Sequence, residues 1–281
     1  GGVLPGPKVS AEIAAARGVK QGVDCISPAC HPAFSTPLGL VGFIRQLREL
    51  SGGKPVGFKL CIGHPTEFLG ICKAMLETGV YPDFIVVDGS EGGTGAAPLE
   101  FLDHVGTPLR DGLVFVHNAL VGLGIRERIK IGAGGKITSA FDMARVMALG
   151  ADWCNAARGF MFAVGCIQSQ SCHTDTCPAG VATQDKTRQR ALVVPDKAQR
   201  VAQFHRSTVK ALGEVIAAAG LSHPSELRPI HVSRRMGSDR CVTFAEVYRF
   251  VKPGEILAGT DHPAFVNAWP AARADSFALT G

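Results

Sequence analysis

Residues Phe84-Ile85-Val86-Val87-Asp88 form an unbroken apolar run that ends in a carboxylate and passes straight into Gly89-Ser90-Glu91-Gly92-Gly93-Thr94-Gly95-Ala96-Ala97-Pro98. A strand with one wet face alternates apolar and polar residues. A strand apolar at every position must be covered on both faces, as in a parallel sheet flanked by crossover helices. The glycine run then puts a close-approaching loop at the strand's C-terminal end, where α/β folds build their sites.

The rest of the chain repeats that pattern. Val56-Gly57-Phe58-Lys59-Leu60-Cys61-Ile62-Gly63, Ile129 to Lys136 and Asp152 to Gly159 read as further strands, and Cys25-Ile26-Ser27 as a shorter one. Helical periods fall between them. Val9 to Gly18 has Ser10 as N-cap, Thr36 to Leu50 follows, Thr66 to Thr78 stops at Gly79, and Thr138 to Leu149 stops at Gly150. Pro98 to Arg126 is expected to be helical with a break at Gly106-Thr107-Pro108. The alternation predicts the C-terminal half of an α/β (β/α)8 TIM barrel, with four strong strands and the first half lying upstream of Gly1. Residues 1–165 are assigned to the half-barrel, 166–185 to a cysteine loop, and 186–281 to a helical extension and tail. In that extension Pro195 to Ala219 is a long amphipathic helix. Leu221 to Ile230 reads as a short capped helix and turn, with one more helix near Phe244 to Val251. The remaining tail either wraps the body or is loosely held.

Composition narrows the function classes. Charged residues are 19% and hydrophobic residues 46%, which is globular, and the net charge of +5 is mild. The Lys and Arg residues are scattered rather than striped, so no nucleic-acid partner is expected. Nine cysteines, an odd number in a long chain, fit a reducing, cytoplasmic compartment. No apolar run reaches the roughly 20 residues of a membrane helix. Any membrane anchor would lie upstream.

Three of the cysteines fall in Cys166-Ile167-Gln168-Ser169-Gln170-Ser171-Cys172-His173-Thr174-Asp175-Thr176-Cys177-Pro178, spaced C-x5-C-x4-C. Thiolates on a short irregular loop can close on one iron–sulfur cluster. Zinc usually takes four ligands, often from close C-x2-C pairs, and would need His173 or a distant cysteine. Three thiolates point to a three-iron cluster, or to a four-iron cluster with a borrowed ligand. Three reduced structural cysteines are the alternative.

Other motifs sit at strand ends. Gly132-Ala133-Gly134-Gly135-Lys136 and Asn155-Ala156-Ala157-Arg158-Gly159 each lead from strand to helix, an arrangement that holds phosphate or simply turns tightly. The Gly89 to Gly95 run lacks the Lys-Ser/Thr ending of a P-loop and is either a cover for a flat ring or a lid. Lys59 places a cation inside an apolar strand. It either snorkels to solvent or points into the barrel mouth, where its charge suits a reduced flavin or a substrate carboxylate. His31 can join it from the preceding strand's loop or serve structure alone.

Taken together, Ser27-Pro28-Ala29-Cys30-His31, Gly57 to Gly63, Asp88 to Pro98 and Gly165 to Asp185 resemble the FMN-binding synthase domain of glutamate synthase, its stand-alone single-domain members above all. The resemblance spans roughly residues 1–250. It implies FMN and a 3Fe–4S cluster as cofactors, with 2-iminoglutarate, formed from 2-oxoglutarate and ammonia, reduced to L-glutamate. It implies that Cys166, Cys172 and Cys177 hold the cluster, and that Lys59 lies near flavin and 2-oxoglutarate. It implies that Gly92, Gly93, Thr94 and Gly95 lie over the flavin, and that Gly134, Gly135, Ala157 and Arg158 hold its phosphate. His31 joins Lys59 in binding substrate, and Glu91 is the expected proton relay. The cysteine loop follows the last strand directly, so cluster and flavin are expected to be neighbours.

The sequence departs from that family in three places. It lacks the amidotransferase domain, so ammonia must come free or from a partner. It lacks a G-x-G-x-x-G fingerprint in strand–helix context, so electrons must arrive from a ferredoxin or an NAD(P)H-oxidising subunit. The loop after Pro28 reads Ala-Cys-His-Pro rather than the family's proline- and histidine-rich version. An oligomer is expected. Two other functions suit the same residues: an FMN and iron–sulfur electron-transfer or assembly subunit, and a related amine oxidoreductase of the N-methylglutamate type.

Overall fold

The computed structural model describes residues 2–92 and 99–279. The chain opens with a two-residue strand Val3–Leu4 (β1), the helix Ala11–Arg17 (α1) and a second short strand Cys25–Ile26 (β2). The parallel sheet follows as Gly57–Cys61 (β3), Phe84–Asp88 (β4), Lys130–Gly134 (β5) and Trp153–Asn155 (β6), hydrogen-bonded in chain order. Helices Pro37–Leu50 (α2), Pro65–Thr78 (α3), Leu109–Gly122 (α4) and Ala140–Ala148 (α5) alternate with them, and Arg158–Val164 (α6) follows β6. Every sheet neighbour is a sequence neighbour, with no reversal of order. That is the strand order of a barrel segment, where a doubly wound sheet would switch direction.

Local chemistry sets the helix ends. Ser10 accepts from Ile13 N–H at the start of α1, and Thr36 from Gly39 N–H at the start of α2. A capping box of His64 and Glu67 starts α3, which Gly79 ends in the left-handed conformation (φ 66°). Ser139 and Asp142 form a second capping box at α5. The stretch Pro98 to Arg126 breaks where expected, at Gly106-Thr107-Pro108: the 3-10 turn Leu99–Phe101 precedes the break, and α4 starts after it at Leu109 and ends at Gly122, short of Arg126. The reason lies upstream of Pro108: Thr107 N–H donates to Ile62 O at 2.9 Å and Ser90 N–H to Thr107 O at 3.0 Å, so residues 103–107 are tied across the strand ends.

Strand register gives the sheet two faces. Ile85, Val87, Ile131 and Ala133 point to the helices and are fully buried with Phe68, Leu69, Met75, Leu113 and Leu120. Burying each large side chain there contributes about 1.5–3 kcal/mol. The opposite face carries three rows across the strands. Gly57, Phe84 and Lys130 form one; Lys59, Val86, Gly132 and Trp153 the next; Cys61, Asp88, Gly134 and Asn155 the row nearest the C-terminal ends.

The short strand at Cys25–Ile26 stays outside this sheet. It pairs antiparallel with β1, Val3 opposite Ile26, and Ser27 N–H extends the pairing to Gly2 O at 2.9 Å. After the cysteine loop come a one-turn helix Lys186–Gln189 (α7) and the 25-residue helix Val194–Ala218 (α8), which packs on α5 and α6. The expected helix at Leu221 to Ile230 is instead two single 3-10 turns, Pro224–Glu226 and Pro229–His231. A strand pair Ser233–Arg235 (β7) and Cys241–Thr243 (β8) and three four-residue helices complete the tail: Phe244–Val247 (α9), Glu255–Ala258 (α10) and Ala268–Ala271 (α11). The tail is packed rather than loose: Phe244, Ile256, Phe265 and Ala272 join the barrel's hydrophobic core, and Leu38 N–H donates to Ala274 O at 2.9 Å. No helix among the described residues is long and apolar enough to cross a membrane.

Candidate functional site

The C-terminal row of the sheet is the floor of the site. Lys59, one row below, reaches up across the strands so that its Nζ lies 2.7 Å from Asp88 Oδ2, with its side chain 61% exposed. Cys61 shares the top row. Burial pushes its thiol up, and the Asp88 and Glu91 carboxylates add to that against a hydrogen bond with Thr107. Gly134 lies on the other side of Asp88: a Cβ there would stand 3.3 Å from Asp88 Oδ1. Trp153 fills the middle row, its ring over Gly132 and its Nε1–H donating to Asn155 Oδ1 at 3.2 Å.

Glu91 is held at the base of this loop. Its two carboxylate oxygens accept the Leu109 N–H at 2.9 and 3.1 Å, at the start of α4, where Pro108 offers no side-chain cap. Gly92 follows it, its N–H donating to Gly89 O at 3.1 Å. Gly93, Thr94 and Gly95 lie outside the described residues. His31 is apart from Lys59's partner, stacked on Phe34 at 4.6 Å between ring centres and tilted against Phe43. It shares with the stem of Lys59 the wall of an apolar cavity of about 400 Å³ between α2 and β3.

The two glycine turns differ at their ends. After Gly134-Gly135, Asp142 Oδ2 accepts the N–H groups of Ser139 and Thr138 at 3.0 and 3.2 Å, so α5 is capped from within. Lys136 is paired with Asp103 at 2.7 Å. After β6, Ala157 gives α6 no side-chain cap, and Arg158 is half-buried with no ion pair among the described residues.

The three cysteines of the C-x5-C-x4-C motif sit on one irregular loop. Cys166 follows Gly165, the left-handed cap of α6, and its sulfur accepts from Gln168 N–H at 3.5 Å. Cys172 opens a single 3-10 turn. Gln168, Gln170 and Asp175 all adopt positive φ, which turns the backbone back on itself. Cys177 is buried; burial pushes its thiol up, but amides of Ala182, Ala179, Val181 and Gly180 donating to the sulfur outweigh that and hold it below the usual range. Among the described residues no three Cys, His or carboxylate side chains already converge on one point. Amides aimed at two of the three sulfurs nonetheless suit thiolate ligands of an iron–sulfur cluster.

Residues 1–222 match the family model described as the conserved region in glutamate synthase. The chain belongs to the glutamate synthase family. It is 45% identical over 235 residues to the glutamate synthase large subunit-like protein YerD of Bacillus subtilis, covering 84% of this chain and 45% of that protein. It is 36% identical over 229 residues to the archaeal NADPH glutamate synthase of Methanocaldococcus jannaschii, covering 81% and 44%. Against ferredoxin-dependent glutamate synthase 2 of Synechocystis the identity is 36% over 215 residues, covering 75% and 13%. The chain thus spans less than half the length of these family members. Among solved structures, a flavocytochrome b2 double mutant with pyruvate bound aligns with 76% of this chain and 40% of that one, at 15% identity and a TM-score of 0.41, too low to bear on the site.

Asp88 and Cys61 are the site members that sequence reasoning passed over. Asp88 was visible as the polar end of an apolar strand, but only the register of β3 against β4 makes it Lys59's partner. For Cys61 the signal was weaker, a thiol two positions after the lysine on the same strand face.

Proposed function

We propose that this glutamate synthase-family chain is part of an FMN- and iron–sulfur-dependent oxidoreductase that reduces 2-iminoglutarate, formed from 2-oxoglutarate and ammonia, to L-glutamate. The observation that carries this reading is the Lys59–Asp88 pair: an exposed ammonium held at the C-terminal end of parallel strands, beside glycines that let the backbone pack closely around Asp88. Residues 1–165 would supply the barrel portion, 166–185 the cluster loop and 186–281 the packed extension.

Lys59 would bind a substrate carboxylate, exchanging part of its interaction with Asp88 for one with the dicarboxylate. His31 would close the apolar side of that cavity. Glu91, anchored at Leu109, would hold the glycine loop in place and carry a proton from there. Gly134, Gly135 and the Ala157–Arg158 segment would cradle phosphate, with Arg158 supplying charge. Cys166, Cys172 and Cys177 would ligate the cluster. When bound, the cluster supplies one-electron delivery and the flavin converts it to two-electron chemistry at carbon. The donor would be a ferredoxin or an NAD(P)H-oxidising subunit, in keeping with relatives named for each. Ammonia would come free or from an amidotransferase partner.

The test is Lys59→Ala in the full-length protein, mixed anaerobically with glutamate while flavin absorbance is followed. A fall of at least tenfold in the rate of flavin reduction is expected. An unchanged rate would overturn the reading.

A further inference from the structure

Three cations from three separate segments converge on the backbone of the cysteine loop. Lys8, in the 3-10 turn Gly6–Lys8 near the start of the chain, donates from Nζ to Cys172 O at 2.6 Å, across 164 residues of sequence. Arg188 of α7 donates to Thr176 O at 3.2 Å, immediately before Cys177. Lys197 of α8 places its Nζ 3.1 Å from where a Cβ on Gly165 would lie, immediately before Cys166. Each cation therefore stands at the backbone beside a different one of the three cysteines.

Their other partners make the pattern more pointed. Arg188 shares its charge with Asp185 at 3.4 Å. Lys8 and Lys197 have no carboxylate within ion-pair distance among the described residues, although both are half-buried. A half-buried ammonium with no carboxylate beside it is poorly compensated while the neighbouring sulfurs are neutral thiols. Three thiolates would supply the missing counter-charge, and a cluster bound by them gains one further negative charge on one-electron reduction.

We infer that Lys8, Arg188 and Lys197 form a cationic collar of positioning residues that fixes the cysteine loop and favours the reduced state of the cluster it holds. The inference rests on the cluster reading above. Lys8 and Lys197 carry the larger share, because Arg188 is more exposed and its field is screened by solvent and by Asp185. The collar also links the beginning of the chain to a loop that follows the last strand, so the N-terminal turn acts on the redox group without touching it.

The experiment uses the full-length protein, purified anaerobically, with dithionite as the one-electron reductant and the cluster followed by electron paramagnetic resonance. At fixed potential, Lys8→Gln and Lys197→Gln should each lower the reduced-to-oxidised ratio about tenfold, which for a one-electron couple is a midpoint lower by about 59 mV. Lys8→Arg should restore the ratio. A Lys8→Gln protein that loses its cluster while Lys8→Arg keeps it also supports the collar. Variants that keep both cluster and midpoint overturn it, as does loss of the cluster from Lys8→Gln and Lys8→Arg alike. A wild-type protein that shows no cluster signal overturns the cluster reading, and the collar with it.

Discussion

Lys59 Nζ meets Asp88 Oδ2 at 2.7 Å although the two residues are out of register, Lys59 lying opposite Val86 and Asp88 opposite Cys61. The lysine therefore leans toward the C-terminal ends of the strands, into the region where a substrate would sit. An exposed pair of this kind stabilises the fold by only about 0.2–1 kcal/mol. Its consequence should appear in binding. Asp88→Asn removes the carboxylate that competes for the ammonium, so the affinity for 2-oxoglutarate should rise several-fold while the melting temperature moves by no more than a few degrees. Titration calorimetry together with a thermal melt checks both; weaker binding would show that Asp88 orients Lys59 instead of competing for it.

Glu91 has a structural duty that can be separated from a chemical one. Its carboxylate replaces the missing side-chain cap at the start of α4. Glu91→Ala should cost about 0.5–2 kcal/mol, the usual loss for a helix cap. Glu91→Gln retains an oxygen that accepts from Leu109 N–H and loses only the charge at the helix start, costing about 0.3–1 kcal/mol. Urea unfolding of the two variants reads this difference. If Glu91 also moves a proton, Glu91→Gln will show a loss of turnover out of proportion to its small loss of stability.

Much of this arrangement was legible in the residues. The run Phe84 to Asp88 announced a doubly covered strand because no position along it is polar before its end. Gly79 and Ser10 marked helix ends because their chemistry is local. Pairing is not local, and that is where sequence reading stopped. Nothing in Cys25–Ile26 says that its partner is Val3–Leu4 and not the edge of β3. Gly106-Thr107-Pro108 announced a break in the helix, but nothing there says that Thr107 bonds to Ile62 across the strand ends. The tail lost its periodicity because Phe265 and Ile256 reach the core from four-residue helices and turns too short to show a helical repeat. In the site, motif residues such as Lys59 and the cysteines stood out by type. Asp88 needed the register, and Lys8 needed a contact across 164 residues.

A pH dependence of stability should arise far from this site, at His117. Burial, with the Arg126 guanidinium beside it, pulls the imidazole down from 6.5 to about 4, while Asp152 opposes and Arg228 adds to the effect. Its Nδ1 faces Arg126 Nε at 3.4 Å, and the ring packs on Phe250 and against the backbone at Gly150. The native ring is neutral where the unfolded one takes up a proton. Its contribution is therefore complete above pH 6.5 and is lost progressively as pH falls toward 4, by about 3 kcal/mol in all. His117→Gln, which cannot titrate, should flatten that slope. Denaturant unfolding at pH 7, 5.5 and 4 compares the two proteins; parallel slopes would assign the acid sensitivity to other groups.

The middle row of the sheet should tolerate added volume poorly. A Cβ on Gly132 would lie 2.5 Å from the Trp153 ring, so alanine there forces the indole to move. The indole is fixed on two further sides, by Phe84 at 5.9 Å between ring centres and by Asn155 Oδ1 at 3.2 Å. Moving it costs packing and a hydrogen bond together. Gly132→Ala should therefore destabilise the protein by about 1–3 kcal/mol, the usual range for overpacking. Trp153→Phe alone should cost less than Trp153→Ala, and in the double variant Gly132→Ala with Trp153→Phe part of the loss should return, because the smaller ring leaves room for the methyl group. The cycle is read by denaturant unfolding, with the fluorescence of Trp269 as the probe common to the variants that lack Trp153. Strict additivity of the two substitutions would place the strain at Gly132 somewhere other than against this ring.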